Sequence, residues 1–268
     1  MYMSIDVGGT KTLVAVLDNT GAIINLFKFP TPKDYLTFKK VLANYVAKVT
    51  TTSCIAGCVG LPGRVNRAEG KLIACGNLPW ENIKIKNDVQ IITNCPIVIE
   101  NDANLAGLSE AILLKQYKRV LYVTIGTGIG MAVIANGEIE PALADSEGGE
   151  ILLEHNGKLQ RWESFVSGRA IQKRFGMVAN NISDPFVWQI IAKDIAIGLA
   201  DIATIVRPEV IILGGGVSNN FDQFADFLNE QLLSLATPLA PFVPVFRANE
   251  PDDAVIYGGY HLARRVYG

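Results

Sequence analysis

The stretch SIDVGGTKTLVAV, residues 4–16, decides the fold, because an apolar strand, a glycine turn and a second strand follow one another directly. Residues 1–7 and 12–17 are rich in apolar and β-branched side chains, and Gly8-Gly9-Thr10 between them form a tight turn. A third strand is expected at residues 22–29. The sequence therefore predicts three successive strands joined by short turns.

The same pattern returns in VTIGTGIGMAVI, residues 123–134, where a second glycine turn separates two further strands. An alternation of helices and strands follows each copy: helices are expected at 34–49, 185–206 and 221–236, and strands at 54–59, 96–100 and 210–213. We therefore predict an α/β chain of two similar lobes that face one another, which would bring both glycine turns to one cleft.

Composition and charge exclude several classes of function. Of the 268 residues 49% are hydrophobic and 19% charged, and the net charge of -2 with no basic stripe disfavours nucleic-acid binding. The N-terminus lacks the pattern of a signal peptide and no apolar run could cross a bilayer, so we expect a cytoplasmic protein without a membrane partner. The four cysteines show no CxxC pairing and are expected to be small buried hydrophobes in a reducing cytosol.

The first glycine turn has the chemistry of a phosphate site. Gly8 and Gly9 allow backbone amides to approach an anion closely, and Thr10 and Lys11 add a hydroxyl and a positive charge. Asp6, at the end of the preceding strand, is a candidate ligand for the Mg²⁺ that accompanies a nucleotide.

Two further glycine clusters strengthen this interpretation. Thr127 and Gly128 in the second turn offer the same backbone donors, and Gly214-Gly215-Gly216 offer bare backbone against which a flat ring could lie. Neither cluster has the spacing of a Walker A loop or of the dinucleotide-binding fingerprint. Each alone is typical of a tight structural turn, but three at strand ends of a duplicated fold indicate nucleotide binding.

A polar segment follows the apolar residues 97–99, and a helix over residues 103–115 is expected to begin in this polar segment. Transfer of a phosphoryl group to an alcohol needs an oxygen base near the nucleophile, and a helix N-terminus favours an ionised carboxylate. Asp102 is the candidate base, with Asn101 beside it to hydrogen-bond a polyol. The alternative is that one of these two residues only caps the helix.

Together these segments resemble the ROK family of bacterial sugar kinases and sugar-responsive repressors over nearly the whole chain. The matching segments are DVGGTK at 6–11, GLPGRV at 60–65, ENDAN at 100–104, TIGTGIG at 124–130, GGGVS at 214–218 and AVIYGG at 254–259. The resemblance implies an α/β, two-lobed sugar kinase/actin-like (ribonuclease H-like) fold, with duplicated mixed sheets and crossing helices around an interlobe cleft. We expect a smaller lobe at 1–117 and a larger lobe at 118–268, with the last helix, 254–265, packed back on the first lobe.

The family's site residues carry over onto matching positions. The resemblance implies that Asp102 is the base, that Asn101, Glu150 and Glu163 hold the sugar hydroxyls, and that Gly63 offers backbone on the sugar side. It also implies ATP with Mg²⁺ as cofactors and a hexose as substrate, phosphorylated on its 6-hydroxyl. Glucose is the first expectation, with N-acetylmannosamine or another hexose next. Because members of the family often form dimers, the resemblance makes a homodimer one of the expected assemblies.

The chain departs from the family after Glu150. Members usually carry Glu-Ile-Gly-His followed by a CxCGxxGC stretch, and this His and the cysteines bind a structural zinc. Here EILL stands at 150–153 and residues 153–163 contain no cysteine, so we expect no zinc. The family's His also contacts the sugar. His155 either replaces it or is an exposed loop histidine.

Rival functions remain open at this level. The lost His and shortened loop are compatible with a sugar-binding regulator or a degenerate kinase that binds without turnover. The same fold also serves acid kinases and actin-like filament proteins, which would hydrolyse or transfer phosphate without a sugar.

Overall fold

The computed structural model describes residues 1–49, 53–249 and 253–268. They form two compact units, of which the first comprises Met1–Ser109 and Asp253–Gly268 and the second the chain between them. Within the described ranges no helix is both long enough and apolar enough to cross a bilayer.

The strands and helices are, in chain order, β1 (Tyr2–Val7), β2 (Lys11–Leu17), β3 (Ile23–Pro30), α1 (Tyr35–Val49), β4 (Ala56–Leu61), β5 (Arg64–Asn66), β6 (Lys71–Ala74), α2 (Ile85–Thr93), β7 (Ile97–Asn101), α3 (Asp102–Leu113), β8 (Arg119–Ile125), β9 (Ile129–Ala135), β10 (Glu138–Ile139), β11 (Leu152–His155), β12 (Lys158–Arg161), α4 (Glu163–Val166), α5 (Gly168–Phe175), α6 (Pro185–Val206), β13 (Val210–Gly214), α7 (Phe221–Leu235), β14 (Val245–Arg247) and α8 (Ala254–Tyr267).

Each unit is built on a five-stranded mixed sheet with the same topology. In the first unit the strand order is β3-β2-β1-β4-β7, and in the second it is β10-β9-β8-β13-β14. In both, three antiparallel strands in sequence are followed by two strands parallel to the central one. The predicted α/β fold with duplicated mixed sheets is confirmed.

The first sheet lies between two layers of helices because its strands alternate in the direction of their side chains. In β1, Met3, Ile5 and Val7 join the buried cluster that includes residues of α1 and α2. Tyr2 faces the other way and packs with residues of β4, α3 and α8. Both faces are therefore apolar, and each large side chain that is fully buried contributes about 1.5–3 kcal/mol to the free energy of unfolding.

Helix α8 lies unusually close to its neighbours. A Cβ atom at Gly258 would overlap the carbonyl oxygen of Leu105 in α3, and one at Gly259 would overlap the hydroxyl of Ser4 in β1. Only glycine allows this approach of helix backbone to helix and sheet. The helix expected at 254–265 thus forms part of the first unit and extends to Tyr267.

The structure divides the chain at a different point from the expected boundary between residues 117 and 118. The division falls between Ser109 and Glu110, within α3. Glu110 is buried, and its Oε2 accepts hydrogen bonds from the backbone amide of Asn249 at 2.9 Å and from its side chain at 3.3 Å. Both residues belong to the second unit.

The second unit packs around α6, whose ends are fixed by local chemistry. The side chain of Asp184 accepts a hydrogen bond from the amide of Phe186 at 2.9 Å, and Pro185 occupies the first helical position. The helix ends where Arg207 adopts a left-handed conformation with φ of 54°. Between these ends Trp188 is buried and stacks on Phe224 of α7 with ring centroids 5.3 Å apart.

The four cysteines are free thiols in the first unit. Cys54, Cys58 and Cys95 are buried, in agreement with the expected role as small hydrophobes, whereas Cys75 is half-buried. Burial raises the pKa of the Cys58 thiol well above its usual range, so this thiol stays protonated at neutral pH.

Candidate active site

The first glycine turn is held by side chains that engage its carbonyl groups. The carbonyl of Gly8 accepts a hydrogen bond from the Thr31 hydroxyl at 2.7 Å, and that of Gly9 accepts one from Lys33 Nζ at 2.9 Å. In a trans peptide the N–H points opposite to the C=O, so the amides of Gly9 and Thr10 are directed away from these two donors. The turn therefore presents backbone donors in the way that an anion site requires.

Three carboxylates lie near the end of β1 that carries this turn. Burial, and after it the charge of Asp102, raises the pKa of Asp6 to about 7, while Lys11 lowers it and Asp253 raises it further. Asp102 is the first residue of α3, and Asp253 directly precedes α8. Sequence reasoning missed Asp253, whose distance along the chain gives no sign of this proximity; the only signal is an acidic residue at a helix start.

The carboxylates fit a magnesium ion that is held mainly by a nucleotide. In the described part of the chain no group of three or more His, Cys, Asp or Glu is arranged to hold a metal. Mg²⁺ usually takes one or two carboxylates and completes its shell with phosphate oxygens and water. Burial first, and then the charges of Asp102 and Asp253, raise the pKa of Asp6, and a cation beside these carboxylates would lower it. The donor set is thus suited to magnesium that arrives with phosphate.

The two candidate capping residues, Asn101 and Asp102, have different hydrogen bonds at the start of α3. Asn101 Oδ1 accepts a hydrogen bond from the Asn104 amide at 3.2 Å, and its Nδ2 donates to the carbonyl of Gly63 at 3.0 Å. Asn101 is therefore the N-cap. Asp102 follows as the first helical residue, and its Oδ1 accepts from the Ala103 amide at 2.8 Å. Of the two candidate caps, Asn101 makes the capping bond, and the role of Asp102 as a base stays a prediction.

The second glycine turn is braced by Glu163, at the start of α4. Glu163 Oε2 accepts a hydrogen bond from the backbone amide of Ile129 at 2.8 Å, and a Cβ atom at Gly128 would overlap this carboxylate. The Gly126 amide donates to the Gly128 carbonyl at 2.9 Å, which closes the turn and leaves Thr127 exposed. Glu163, expected on the sugar side, thus contacts the turn expected to bind phosphate.

Glu150 lies on the 3₁₀ turn Gly148–Glu150 and is exposed. Its Oε2 is 2.6 Å from Nε of Arg161, the last residue of β12. Partial burial and the charges of Glu150 and Glu163 raise the pKa of Glu147, so these three carboxylates are neighbours. Sequence reasoning missed Glu147 and Arg161; the acidic residue before the paired glycines was the available signal for Glu147.

The third glycine cluster follows β13 and adjoins the second turn. Gly214 lies against the Tyr122 hydroxyl, and Gly215, with φ of +81°, lies where a Cβ atom would come 2.6 Å from the backbone of Ile125. Packing therefore explains these two glycines. Gly216 is exposed, and a Cβ atom there would meet no described atom within 4 Å, so protein packing does not explain its lack of a side chain.

The segment in which the family carries its zinc loop is a β-hairpin, β11–β12. His155 ends β11, and its ring stacks on Phe165 with centroids 4.2 Å apart and planes 10° apart. Its Nε2 lies 3.7 Å from the carboxylate of buried Asp194, which also accepts a hydrogen bond from Arg174 at 2.8 Å. The interpretation of His155 as an exposed loop residue is therefore wrong. The contacts are those of a residue that packs the hairpin on α4 and α6.

The structure thus gathers the expected site residues into two sets. The set in the first unit is Asp6, Gly8, Gly9, Thr10, Lys11, Gly63, Asn101 and Asp102, and the set in the second is Thr127, Gly128, Glu150, Glu163, Gly214, Gly215 and Gly216. Within each set, the hydrogen bonds and charge interactions described above connect a glycine turn to carboxylates. Both sets combine the backbone of a glycine turn with carboxylates.

Two mixed sheets of one topology, each with a glycine turn after its central strand, define the sugar kinase/actin-like class of proteins. The ROK family model matches residues 2–266, and the chain belongs to this family. It is 27% identical to the glucokinase of Streptomyces coelicolor in a gapped alignment of 310 positions that covers 98% of each chain. It is 26% identical to the fructokinase of Lactococcus lactis subsp. cremoris in a gapped alignment of 288 positions that covers 99% of this chain and 98% of the relative.

A solved structure shows the same fold. The ROK family glucokinase from Streptomyces griseus, in complex with glucose and AMPPNP, superposes with a TM-score of 0.82 at 24% identity. The match covers 98% of this chain and 99% of that one, so the fold is shared along the whole length.

Proposed function

We propose that the chain transfers the γ-phosphoryl group of ATP to the 6-hydroxyl of a hexose, with Asp102 as general base. The class of enzyme, an ATP-dependent hexose kinase, agrees with the names of its relatives, glucokinase and fructokinase. The observation that carries the proposal is the geometry before α3, where Asn101, the residue before Asp102, caps the helix and donates a hydrogen bond to the Gly63 carbonyl at 3.0 Å. The proposed base thus follows directly on a residue fixed to the loop that we propose for the sugar.

In this proposal the acceptor hydroxyl donates its proton to Asp102 as its oxygen attacks the γ-phosphorus in line, and the bond from that phosphorus to the bridging oxygen breaks, so that ADP leaves. A helix N-terminus favours negative charge, which suits a carboxylate that accepts a proton there. Magnesium beside Asp6 would supply charge neutralisation for the transferred group. The amides of Gly9 and Thr10 would bind phosphate oxygens.

Sugar hydroxyls would be held by Asn101, Glu150 and Glu163, with the Gly63 loop supplying backbone. The hydrogen bonds of Asn101 with the Asn104 amide and with the Gly63 carbonyl fix the orientation of its side chain. Glu163 is oriented by the Ile129 amide. Thr127, Gly128 and residues 214–216 are proposed for the nucleotide, with Gly216 as the open backbone for a flat ring. A homodimer stays a prediction.

The test is an ADP-release assay with Mg·ATP over a panel of glucose, fructose, mannose and N-acetylmannosamine. Asp102→Ala should lower kcat by about 10²–10⁴-fold, the usual contribution of a general base. Binding of ATP, measured by calorimetry, should stay within about twofold, because Asp102 is not among the turn residues proposed to hold phosphate. Retention of most of the activity in this variant would remove Asp102 from its role.

A matched control is Asp222→Asn, which removes another carboxylate from the first turn of a helix, α7. This variant should keep full activity, since Asp222 belongs to neither set of site residues.

One observation favours a second candidate, a sugar-binding protein without turnover. Glu150 is engaged by Arg161 of the hairpin that stands in place of the zinc loop, so one carboxylate expected to bind sugar already has a partner. Sugar binding by calorimetry together with no ADP release across the panel would establish this alternative.

A further inference from the structure

An ion pair between a half-buried arginine and a buried glutamate lies directly before the residues proposed for catalysis. Glu100, at the end of β7, is 4% exposed. Its Oε2 accepts a hydrogen bond from Arg67 Nε at 2.7 Å and its Oε1 accepts one from Arg67 Nη2 at 2.5 Å. Two parallel bonds between a guanidinium and a carboxylate fix both position and orientation, which a single contact cannot do.

The same carboxylate also holds the start of α3. Glu100 Oε1 accepts hydrogen bonds from the Asn101 amide at 2.7 Å and from Asn104 Nδ2 at 2.9 Å. Asp102 lies between these two residues. The orientation of Asp102, the proposed base, therefore depends on the position of Glu100.

Arg67 belongs to a different part of the first unit. It follows β5, in the hairpin that leaves the Gly63 loop. Gly63 has φ of +87°, and a Cβ atom there would overlap the carbonyl of Ala74, so the loop has one tight conformation. Among the described contacts, those of Arg67 with Glu100 and of Gly63 with Asn101 join this loop region to the end of β7, directly before α3.

We propose that Arg67 and Glu100 are positioning residues that lock the Gly63 loop to the start of α3 and so hold Asp102 in its reactive orientation. The inference rests on the proposed function of Asp102. A misplacement of the base by about 1 Å can cost about 10²-fold in rate, so a contact that never touches substrate acts on turnover. The first glycine turn has its own supports in Thr31 and Lys33, so we expect ATP binding to be independent of this lock.

The test compares Arg67→Ala and Arg67→Lys with the control Lys71→Ala, which removes a pair with Glu69 from the same hairpin. The side chain of Arg67 is 30% exposed, so its truncation is compatible with folding. Arg67→Ala should lower kcat about 10–100-fold and leave KM for ATP within about twofold. Arg67→Lys should recover only part of the loss, because an ammonium cannot make the forked contact. Lys71→Ala should behave as wild type.

Hydrogen exchange of peptides that cover residues 97–104 provides a readout that needs no turnover. Arg67→Ala should exchange faster than wild type there by about tenfold or more, and Lys71→Ala should not. An unchanged exchange rate together with an unchanged kcat per folded molecule would overturn the inference, even if the melting temperature fell. Should wild type phosphorylate no sugar, the kinase proposal fails while the exchange comparison still decides whether the lock exists.

Discussion

Replacing Asp6 by Asn should stabilise the protein at neutral and alkaline pH in the absence of divalent cations. The folded protein raises the pKa of Asp6 from 3.8 to about 7, chiefly through burial and the charge of Asp102. A raised carboxylate pKa means that the folded state binds more protons than the unfolded state between these values. The free energy of unfolding therefore falls as pH rises from about 4 to 7.

The size of the effect follows from the shift. The rise of about three units in the pKa of Asp6 lowers the free energy of unfolding, relative to a neutral side chain, by about 4 kcal/mol at pH 8 and by about 2 kcal/mol at pH 5. Asn is neutral at both values, so Asp6→Asn removes this penalty. The variant should gain about 2–4 kcal/mol at pH 8 and less at pH 5.

The assay is urea unfolding with a chelator present, followed by circular dichroism at pH 5 and pH 8. Asp34→Asn serves as the control, since hydrogen bonds from Thr37 lower the pKa of that exposed aspartate instead. Loss of its charge should bring no gain in stability at pH 8. An Asp6→Asn protein that is no more stable than wild type at pH 8 would refute the account of the carboxylates at this site.

Two further substitutions probe the close packing and the glycine turn. Gly258→Ala should lower the free energy of unfolding by about 2 kcal/mol or more, because its Cβ atom would overlap the Leu105 carbonyl; Gly76→Ala, which meets open space, is the matched control in thermal unfolding. Thr31→Val should weaken ATP binding about fivefold in calorimetry, because it removes the hydroxyl that holds the Gly8 carbonyl at 2.7 Å; unchanged affinity would show that this turn is rigid without it.

Much of the fold follows from local sequence. Strands of β-prone residues on either side of a glycine turn predict β1 and β2, and the repeat of this pattern predicts β8 and β9. The β11–β12 hairpin could not be foreseen, because its short strands are mostly polar and half-exposed. The division inside α3 has no local signal, because it depends on contacts between segments that are distant in sequence, such as that of Glu110 with Asn249.

The candidate site, like the fold, could be predicted from local sequence only in part. Asp6, Asp102 and the glycine turns are visible because each follows a strand or begins a helix, where local patterns have chemical meaning. Asp253 and the pairing of Arg67 with Glu100 depend on tertiary packing that places distant segments together. A charged residue such as Glu100 at the end of an apolar strand signals that a partner exists, but it does not say which one.

The position of α8 has a consequence for the order in which the chain folds. Ribosomes synthesise this helix after the whole second unit, yet Ile256 and Tyr260 complete the apolar cluster on one face of the first sheet. Proteins usually fold from the N-terminus as they emerge. Here Tyr2 and Leu13 of the first strands stay exposed until α8 is synthesised, whereas the second unit is complete before that point. The first unit should thus be the last to become resistant to proteases during translation, and a chaperone that shields nascent chains would find its binding surface there.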